Sequence, residues 1–280
     1  MITIGLTGWG DHETLILNKQ QKLENYASHF PFVELDTSFY ALPASSSIES
    51  WLAKTPNTFQ FIPKALQTMT KHRDWSDFYP SEKNMFDTYL ATFEPMVSAN
   101  RLKAVLFQFP PYFACTKEHV AYLRNIRIWM KDLPVAIEFR NNTWYSIDYQ
   151  QQTLQLLKEL NFIHTVVDQP QTPTNSVPKV LSVTNSALTL YRLHGRNFDG
   201  WLNASGPDWR KKRTLYNYNL AELEGIKQDI LTLTEESNEV AVIFNNNSGG
   251  HAASNGKSLQ KLMNVTFIGL LPQQLDLELF

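Results

Sequence analysis

The side chains that could do chemistry in this chain stand at the ends of its apolar runs. Examples are VELD at residues 33–36, VAIEFR at 135–140 and LTLYRLHGR at 188–196. Such runs indicate buried strands, whose side chains alternate between two faces. This alternation predicts that one face carries Glu34, Asp36, Lys64, Gln108, Glu138, Arg140, Asp168, Arg192, His194 and Asn245. The same face should carry apolar residues lower down, namely Ile62, Ala104, Ala136, Leu190 and Ile243.

Carboxylates beside cations in such a ring could perform acid–base chemistry. Glu138 is the first candidate because Arg140, two residues on, shares its face, and Glu34 is the second carboxylate. We expect Lys64 to stabilise charge, with a Schiff-base role as a less favoured alternative. The predicted catalytic residues are Glu34, Lys64, Glu138, Asp168 and His194. The alternative is an ion-pair network that only caps the fold.

The other half of the ring is cationic and predicts anion recognition. Arg192, His194 and Arg196 share one strand end, and Ser248, Gly249 and Gly250 precede a helix expected to begin near His251. Backbone N–H groups at such a helix start often bind phosphate, although an ordinary Asn/Gly turn fits equally well. The predicted substrate-binding residues are Trp9, Asp36, Tyr40, Gln108, Arg140, Arg192, Arg196, Asn245, Asn247, Ser248, Gly249 and Gly250.

A metal centre is the competing interpretation of the carboxylates. Glu34, Asp36, Glu138, Asp168 and His194 could bind Mg²⁺ or Mn²⁺. A multi-zinc centre needs several histidines at strand ends, and the intervening cations would repel a divalent ion. We therefore expect neither a catalytic metal nor a cofactor.

Strand-like runs alternate with helical patterns along the whole chain. Eight such units in 280 residues average about thirty-five residues each, as in a TIM-like (β/α)8 barrel with polar residues at one mouth. A doubly wound open sheet is the alternative, but it would group polar residues at one switch point. Residues 169–186 are rich in Pro and Thr, so the sixth helix should be short or absent. Residues 65–81 and 197–219 are long loops that should cover the catalytic face.

Composition restricts the class of protein. Apolar residues make up 43 % of the chain, enough for a large core, and the formal net charge of −2 provides no general attraction to nucleic acid or membranes. The single cysteine excludes an internal disulfide. The N-terminal run reads as a first strand instead of a signal peptide, and no stretch is as long as a membrane span. These features predict a soluble cytoplasmic protein.

Several of these segments resemble the YecE-like family, catalogued as domain of unknown function 72. They are GLTGWG (5–10), ELDTSFYALP (34–43), FIPKALQTMTKH (61–72), VLFQFPPYF (105–113), AIEFRNNTWY (136–145), YRLHGRN (191–197) and FNNNSGGHAASN (244–255). Together they span nearly the whole chain. The resemblance implies a TIM-like barrel and no particular activity.

The last residues carry a different signal. After a break at Gly269 and Pro272, the chain reads QLDLELF, so we divide it into a barrel at 1–268 and a tail at 269–280. The tail resembles the peptide that binds the bacterial DNA polymerase sliding clamp, with Gln274, Leu275, Leu277, Leu279 and Phe280 as the predicted contacts. Alternatively, its leucines pack on the barrel. A clamp partner would favour a DNA-derived substrate, with residues 209–218 as a basic, aromatic contact loop.

These patterns together predict a metal-independent acid–base enzyme, of hydrolase, lyase or isomerase type. Its substrate should be small and anionic, phosphorylated or polyhydroxylated, and the tail favours a substrate derived from DNA or a nucleotide. Two alternatives stay open: a divalent-metal phosphoesterase, and a non-catalytic binding module associated with the sliding clamp.

Overall fold

Eight parallel strands make up the centre of the structure, a computed structural model that describes residues 1–174, 176–203, 205–206 and 208–273. The strands are β1 (Ile2–Thr7), β2 (Phe32–Leu35), β3 (Gln60–Pro63), β4 (Val105–Gln108), β5 (Val135–Glu138), β6 (Ile163–Asp168), β7 (Thr189–Leu193) and β8 (Val240–Phe244). Each lies within or overlaps a run of apolar residues that predicted it. The polar residues that follow, such as Lys64 and Asn245, lie just beyond the strand ends.

The sheet curves until its two edge strands meet. Its order is β3-β2-β1-β8-β7-β6-β5-β4, and single parallel bridges join Phe61 to Leu102 and Lys64 to Leu106. The Ala65 amide donates to the Leu106 carbonyl at 2.9 Å across the same seam. This closure confirms the predicted TIM-like (β/α)8 barrel and excludes the open doubly wound sheet.

Helices cover the outside of the barrel, as the apolar stripes in the sequence predicted. They are α1 (Lys22–Ala27), α2 (Ser45–Ala53), α3 (Glu82–Ser98), α4 (Lys117–Met130), α5 (Gln150–Glu159), α6 (Phe198–Leu202), α7 (Trp209–Thr214), α8 (Leu220–Thr234) and α9 (His251–Leu262). In the described residues between β6 and β7 there is no helix, in agreement with the prediction that the sixth helix is short or absent. Among all described residues, no helix has both the length and the apolar character needed to cross a membrane.

Apolar side chains fill the lower part of the barrel interior, and polar side chains line its C-terminal mouth. One apolar cluster fills the interior, and it contains Phe32, Ile62, Ala104, Leu106, Ala136, Ile163, Leu188, Leu190, Ala241 and Ile243. All five apolar residues that the strand alternation assigned to the inner face belong to it. A second, larger cluster packs the outer strand faces against the helices. The inner cluster therefore forms the floor on which the polar ring stands.

The predicted face of β6 was wrong. In the sheet, Val167 pairs with Arg192 and Asp168 pairs with Leu193, and paired residues of neighbouring strands share a face. Leu193 packs in the outer cluster, so Asp168 faces the helix layer and not the barrel interior. His164 has the same parity; it is buried, and its Nε2 lies 3.0 Å from the Tyr145 hydroxyl, outside the barrel. β6 is buried at every position, as β2, β5, β7 and β8 also are, and its pairing with β7 decides which of its side chains face inward.

The two long loops leave the C-terminal ends of β3 and β7, as predicted. The second one contains the short helices α6 and α7, which contact each other. At the opposite end of the barrel, residues 269–273 lie against the end of α1 and the loop that precedes β3. The Leu271 amide donates to the Ala27 carbonyl at 3.2 Å, and Thr58 Oγ1 donates to the Gly269 carbonyl at 2.9 Å. The predicted clamp-binding residues 274–280 lie outside the described residues.

Gly5 provides a test of the closed interior. A Cβ at this position would lie 2.6 Å from both the Phe32 ring and the Phe32 carbonyl oxygen. We expect Gly5→Ala to lower the free energy of unfolding by about 1–3 kcal/mol, because the packed floor leaves no room for the added methyl group. Denaturation by urea measures this change. Gly225→Ala on the exposed side of α8, where the added Cβ meets nothing within 4 Å, should be neutral or stabilising; equal effects at both positions would contradict the packing.

Candidate active site at the barrel mouth

Glu138, at the end of β5, is the centre of the polar ring. Its side chain is fully buried, and its Oε1 accepts hydrogen bonds from Gln108 Nε2 at 2.6 Å and His194 Nε2 at 3.0 Å. Arg140 Nε lies 2.9 Å from the same oxygen, and Arg192 Nη1 donates to Oε2. Burial alone would raise the pKa of this carboxyl, but the attraction of Arg192 and the other donors outweighs it and holds the pKa well below the usual value. Glu138 is therefore an ionised anchor for its neighbours near neutral pH.

Arg192 joins the two buried carboxylates into one unit. Its Nε and Nη2 donate to the two oxygens of Glu34 at 2.8 and 2.7 Å, while Nη1 binds Glu138. All three side chains are at most 1 % exposed. Burial raises the pKa of Glu34 against the attraction of Arg192. The contrast with Glu138 is notable, because opposite shifts in a carboxylate pair are typical of acid–base sites.

His194 is held between Glu138 and an amide from β8. Its Nδ1 lies 2.8 Å from Asn245 Nδ2, so Nε2 carries the proton that Glu138 accepts. Burial lowers the pKa of His194 to about 3, although Glu138 opposes this shift. The imidazole is neutral near pH 7, and the charge on Glu138 is balanced by the arginines.

Lys64 and Asp36 form an ion pair at the solvent-facing side of the ring. Lys64 Nζ donates to Asp36 Oδ1 at 2.9 Å and to Gln108 Oε1 at 3.1 Å. The Asp36 side chain is 44 % exposed, whereas that of Lys64 is 7 % exposed. The ammonium also lies 4.9 Å from the centre of the Phe39 ring. Gln108 thus connects this surface pair to Glu138 through hydrogen bonds.

Trp201 covers the other side of the ring and was not among the predicted site residues. It belongs to α6 in the long loop after β7 and is 1 % exposed, yet it lies outside both apolar clusters of the described residues. Its ring lies 5.1 Å from the Arg140 guanidinium, 3.8 Å from that of Arg213 and 6.0 Å from the His194 ring. The only signal in the sequence was the aromatic, basic character of residues 197–219.

Asp168 and Arg196 form a separate cluster with Tyr218. Arg196 Nη2 and Nε donate to the two Asp168 oxygens at 2.7 and 2.9 Å, and the Tyr218 hydroxyl donates to Oδ2 at 2.8 Å. The Tyr218 oxygen in turn accepts from the Gly195 amide at 2.9 Å. These contacts link the end of β6 to the loop after β7 on the helix side of the barrel. The structure therefore does not bring Asp168 together with Glu34 and Glu138.

The loop that was predicted to bind phosphate follows β8 and leads into α9. Gly249 and Gly250 adopt φ values of 77° and 73°, and α9 begins at His251 as predicted. Ser248 Oγ lies 2.7 Å from Thr214 Oγ1 of α7, and Asn247 Nδ2 donates to the Thr7 carbonyl at 2.9 Å. These hydrogen bonds connect the loop after β8 to α7 and to the end of β1.

Two predicted aromatic contacts stand at the rim. Trp9 is half-buried and packs edge to face on Trp51 of α2 at 5.4 Å. Tyr40 is 49 % exposed, with its ring 5.0 Å from that of Phe39. Both lie on loops that follow neighbouring strands, at the same end of the barrel as Lys64. Among the described residues, no group of three or more His, Cys, Asp or Glu side chains is arranged to hold a metal ion.

The fold and this mouth define a TIM-barrel protein with a charged candidate active site. Residues 3–276 match the family described as protein of unknown function DUF72, and the chain belongs to that family. It is 48 % identical to UPF0759 protein YunF of Bacillus subtilis (strain 168) over 99 % of this chain and 100 % of YunF.

Solved structures of the family have the same fold. A DUF72 family protein of Enterococcus faecalis V583 superposes with a TM-score of 0.93 at 45 % identity, covering 99 % of this chain and all of that one. A DUF72 family protein of Thermotoga maritima MSB8 gives a TM-score of 0.80 at 28 % identity, over 95 % of this chain and all of that one. These names state no reaction.

The neutral state of His194 has a measurable consequence. The folded protein takes up this proton only near pH 3, whereas unfolded histidine takes it up near pH 6.5. The folded state therefore loses stability as pH falls below about 6.5, by up to about 1.4 kcal/mol per pH unit. We expect His194→Gln to remove this contribution and flatten unfolding free energy between pH 6 and 4.5. Buried His164, whose pKa is about 4, should maintain a residual slope; an unchanged slope in His194→Gln would refute the assignment.

Proposed function

We propose that this protein is an acid–base enzyme that acts on a small anionic, phosphorylated or polyhydroxylated substrate at the barrel mouth without a catalytic metal. The observation that carries the proposal is the Lys64–Asp36 pair, which reaches solvent. Gln108 connects this pair by hydrogen bonds to Glu138, in the buried ion cluster. Lys64 donates a proton or stabilises developing negative charge there. Glu138 fixes the positions of the surrounding donors. A nucleotide-derived substrate is the narrower version of this proposal.

Buried polar atoms without partners support a polar ligand. Within the described part of the chain, Thr7 Oγ1, Arg140 Nη1 and Asn247 Oδ1 are buried and make no hydrogen bond. All three belong to residues at or just beyond the C-terminal ends of strands. Such groups are costly unless something satisfies them. A hydroxyl, a guanidinium and an amide oxygen together suit a substrate with hydroxyl groups and negative charge.

The proposed absence of a metal is supported by how the carboxylates are used. Both oxygens of Glu34 and Oε2 of Glu138 are bound to Arg192. A divalent ion would have to displace this guanidinium and overcome its repulsion.

The single cysteine, which excludes an internal disulfide, is consistent with a cytoplasmic location.

Lys64→Met tests the reaction. The purified protein is incubated with a mixture of phosphorylated and carboxylated sugars and polyols, and consumption of each compound is followed by mass spectrometry. We expect the wild type to consume at least one compound and Lys64→Met to be slower by about 10²-fold or more, because charge stabilisation and proton transfer are lost. Lys54→Met at the end of α2, where the side chain is 48 % exposed, is the matched control.

The same assay separates the alternatives. Activity that survives a chelator supports the metal-independent reaction, whereas loss that Mn²⁺ or Mg²⁺ restores would favour the phosphoesterase. Equal rates for Lys64→Met and the wild type, with unchanged unfolding midpoints, would rule out Lys64 as the reacting group. A complete lack of turnover across the mixture would count against an enzyme.

For the tail we propose binding to the bacterial DNA polymerase sliding clamp. The supporting observation is position: residues 269–273 are attached at the end of the barrel opposite the mouth, so a partner on the tail would leave the mouth accessible. The substrate could then be delivered or released while the clamp is bound.

The anchor residues of the tail give this proposal its test. We expect replacement of Leu275, Leu277 and Phe280 by Ala to weaken binding to purified clamp by at least about tenfold in surface plasmon resonance, since buried apolar anchors dominate such interfaces. Glu278→Gln, between the anchors, should bind as the wild type does. Absence of wild-type binding, or equal binding by the triple variant, would contradict the proposal.

A further inference from the structure

The three arginines predicted to bind substrate differ in how far they are already engaged. Arg192 donates to Glu34 and Glu138 through Nε, Nη1 and Nη2. Arg196 is bound by Asp168 and Glu222. Arg140, by contrast, has one anionic partner in the described chain, Glu138, which it meets through Nε. Of these three arginines, Arg140 is the one with a buried nitrogen, Nη1, that has no hydrogen-bond partner in the described chain.

Arg140 is also held in a fixed orientation. Glu138 lies 2.9 Å from Nε on one edge of its planar guanidinium, and the Trp201 ring lies 5.1 Å from its centre. The remaining edge carries Nη1 and Nη2, of which Nη1 is buried without a hydrogen-bond partner in the described chain. Burial lowers the pKa of this guanidinium, and Glu138 only partly opposes the shift. An oriented but unsatisfied buried donor is what a binding site for a charged ligand requires.

The geometry points to Arg140 as the anchor of an oxyanion subsite, in which its Nη1–Nη2 edge binds a carboxylate or phosphate group beneath Trp201. Two parallel N–H···O bonds from one guanidinium edge match both kinds of oxyanion. The inference rests on the proposed function, because it assigns the charged group of that same substrate to one residue. It also replaces the predicted anion site at Arg192 and Arg196, whose guanidinium groups already bind carboxylates.

The exposed fractions of the charged side chains support entry of an anion at Arg140. The Arg140 side chain is 13 % exposed, whereas those of Glu138 and Glu34 are 0 % exposed and that of Arg192 is 1 % exposed. A ligand that comes from the mouth therefore meets the guanidinium before the carboxylates. Since Glu138 is shared with Arg192 and His194, it does not fully neutralise Arg140.

Trp201 limits water access to the same place. Its ring covers Arg140 and His194 from the loop after β7 and contacts Arg213 of α7. Exclusion of water strengthens hydrogen bonds between ions. A ligand on Arg140 alters the surroundings of this indole, so Trp201 fluorescence should respond to binding.

Ligand titration of the full chain tests the subsite. The probes are inorganic phosphate, glycerol 3-phosphate and D-glycerate, and binding is measured by calorimetry and by tryptophan fluorescence, with Trp201→Phe to assign the fluorescence change. We expect saturable wild-type binding to at least one probe. Arg140→Lys keeps the charge but loses the two-bond edge, so it should bind at least about tenfold more weakly. Arg140→Gln should show no saturable binding.

Controls separate binding from folding. Arg124→Gln on α4, where the side chain is 54 % exposed, should bind the probes as the wild type does. Arg140→Gln should unfold at nearly the wild-type midpoint, because Glu138 retains Arg192, Gln108 and His194 as partners. Preference for glycerol 3-phosphate identifies a phosphate subsite, and preference for D-glycerate identifies a carboxylate subsite.

The outcomes also distinguish this inference from the proposed function. Probe binding that depends on Arg140, without turnover of any compound, would support the subsite and count against the enzyme. Turnover that depends on Lys64, with probe affinities unchanged in both Arg140 variants, would overturn the subsite and leave the enzyme intact. Failure of all three probes to bind the wild type would also overturn it.

Discussion

The contact between Glu138 and Arg192 is the interaction on which the mouth of this barrel depends. It joins β5 to β7 across the interior, and Arg192 extends it to Glu34 on β2. Both carboxylates are completely buried, so each would be expensive without a cation. Glu138 also binds Gln108, Arg140 and His194. One ionised carboxylate therefore fixes donors at the ends of β4, β5 and β7.

The layering of the barrel explains why such a costly cluster is tolerated. Below it, small and branched apolar residues fill the interior, and above it the Lys64–Asp36 pair meets solvent. Buried ion pairs rarely stabilise a fold more than apolar packing would. Their benefit here is orientation: they position Lys64 through Gln108 and Arg140 through Glu138. Enzymes preorganise a site in this way, with a rigid, buried ion cluster that holds the groups accessible to substrate in place.

Most of the fold could be predicted from the chain, and so could most members of the ring. Apolar runs with polar ends specify buried strands, and parallel strands place those ends together. The prediction for Asp168 was wrong because the inward face of β6 is set by its pairing with β7, where Asp168 lies beside Leu193, and this pairing is not encoded in the local sequence of β6. Trp201 was missed for a related reason: an aromatic residue in a loop does not reveal what it covers.

The sequence by itself therefore determined the barrel, the end at which its polar residues gather and the residue types available there. Local periodicity encodes these features, since they follow from alternation along each strand. Only the tertiary structure decided which partner each charge takes. Arg192 and Arg196 are bound by carboxylates from other strands, while Nη1 of Arg140 is buried without a hydrogen-bond partner in the described chain. Pairing of this kind depends on strand register and loop placement across the closed barrel, and these are set by packing between segments far apart in sequence.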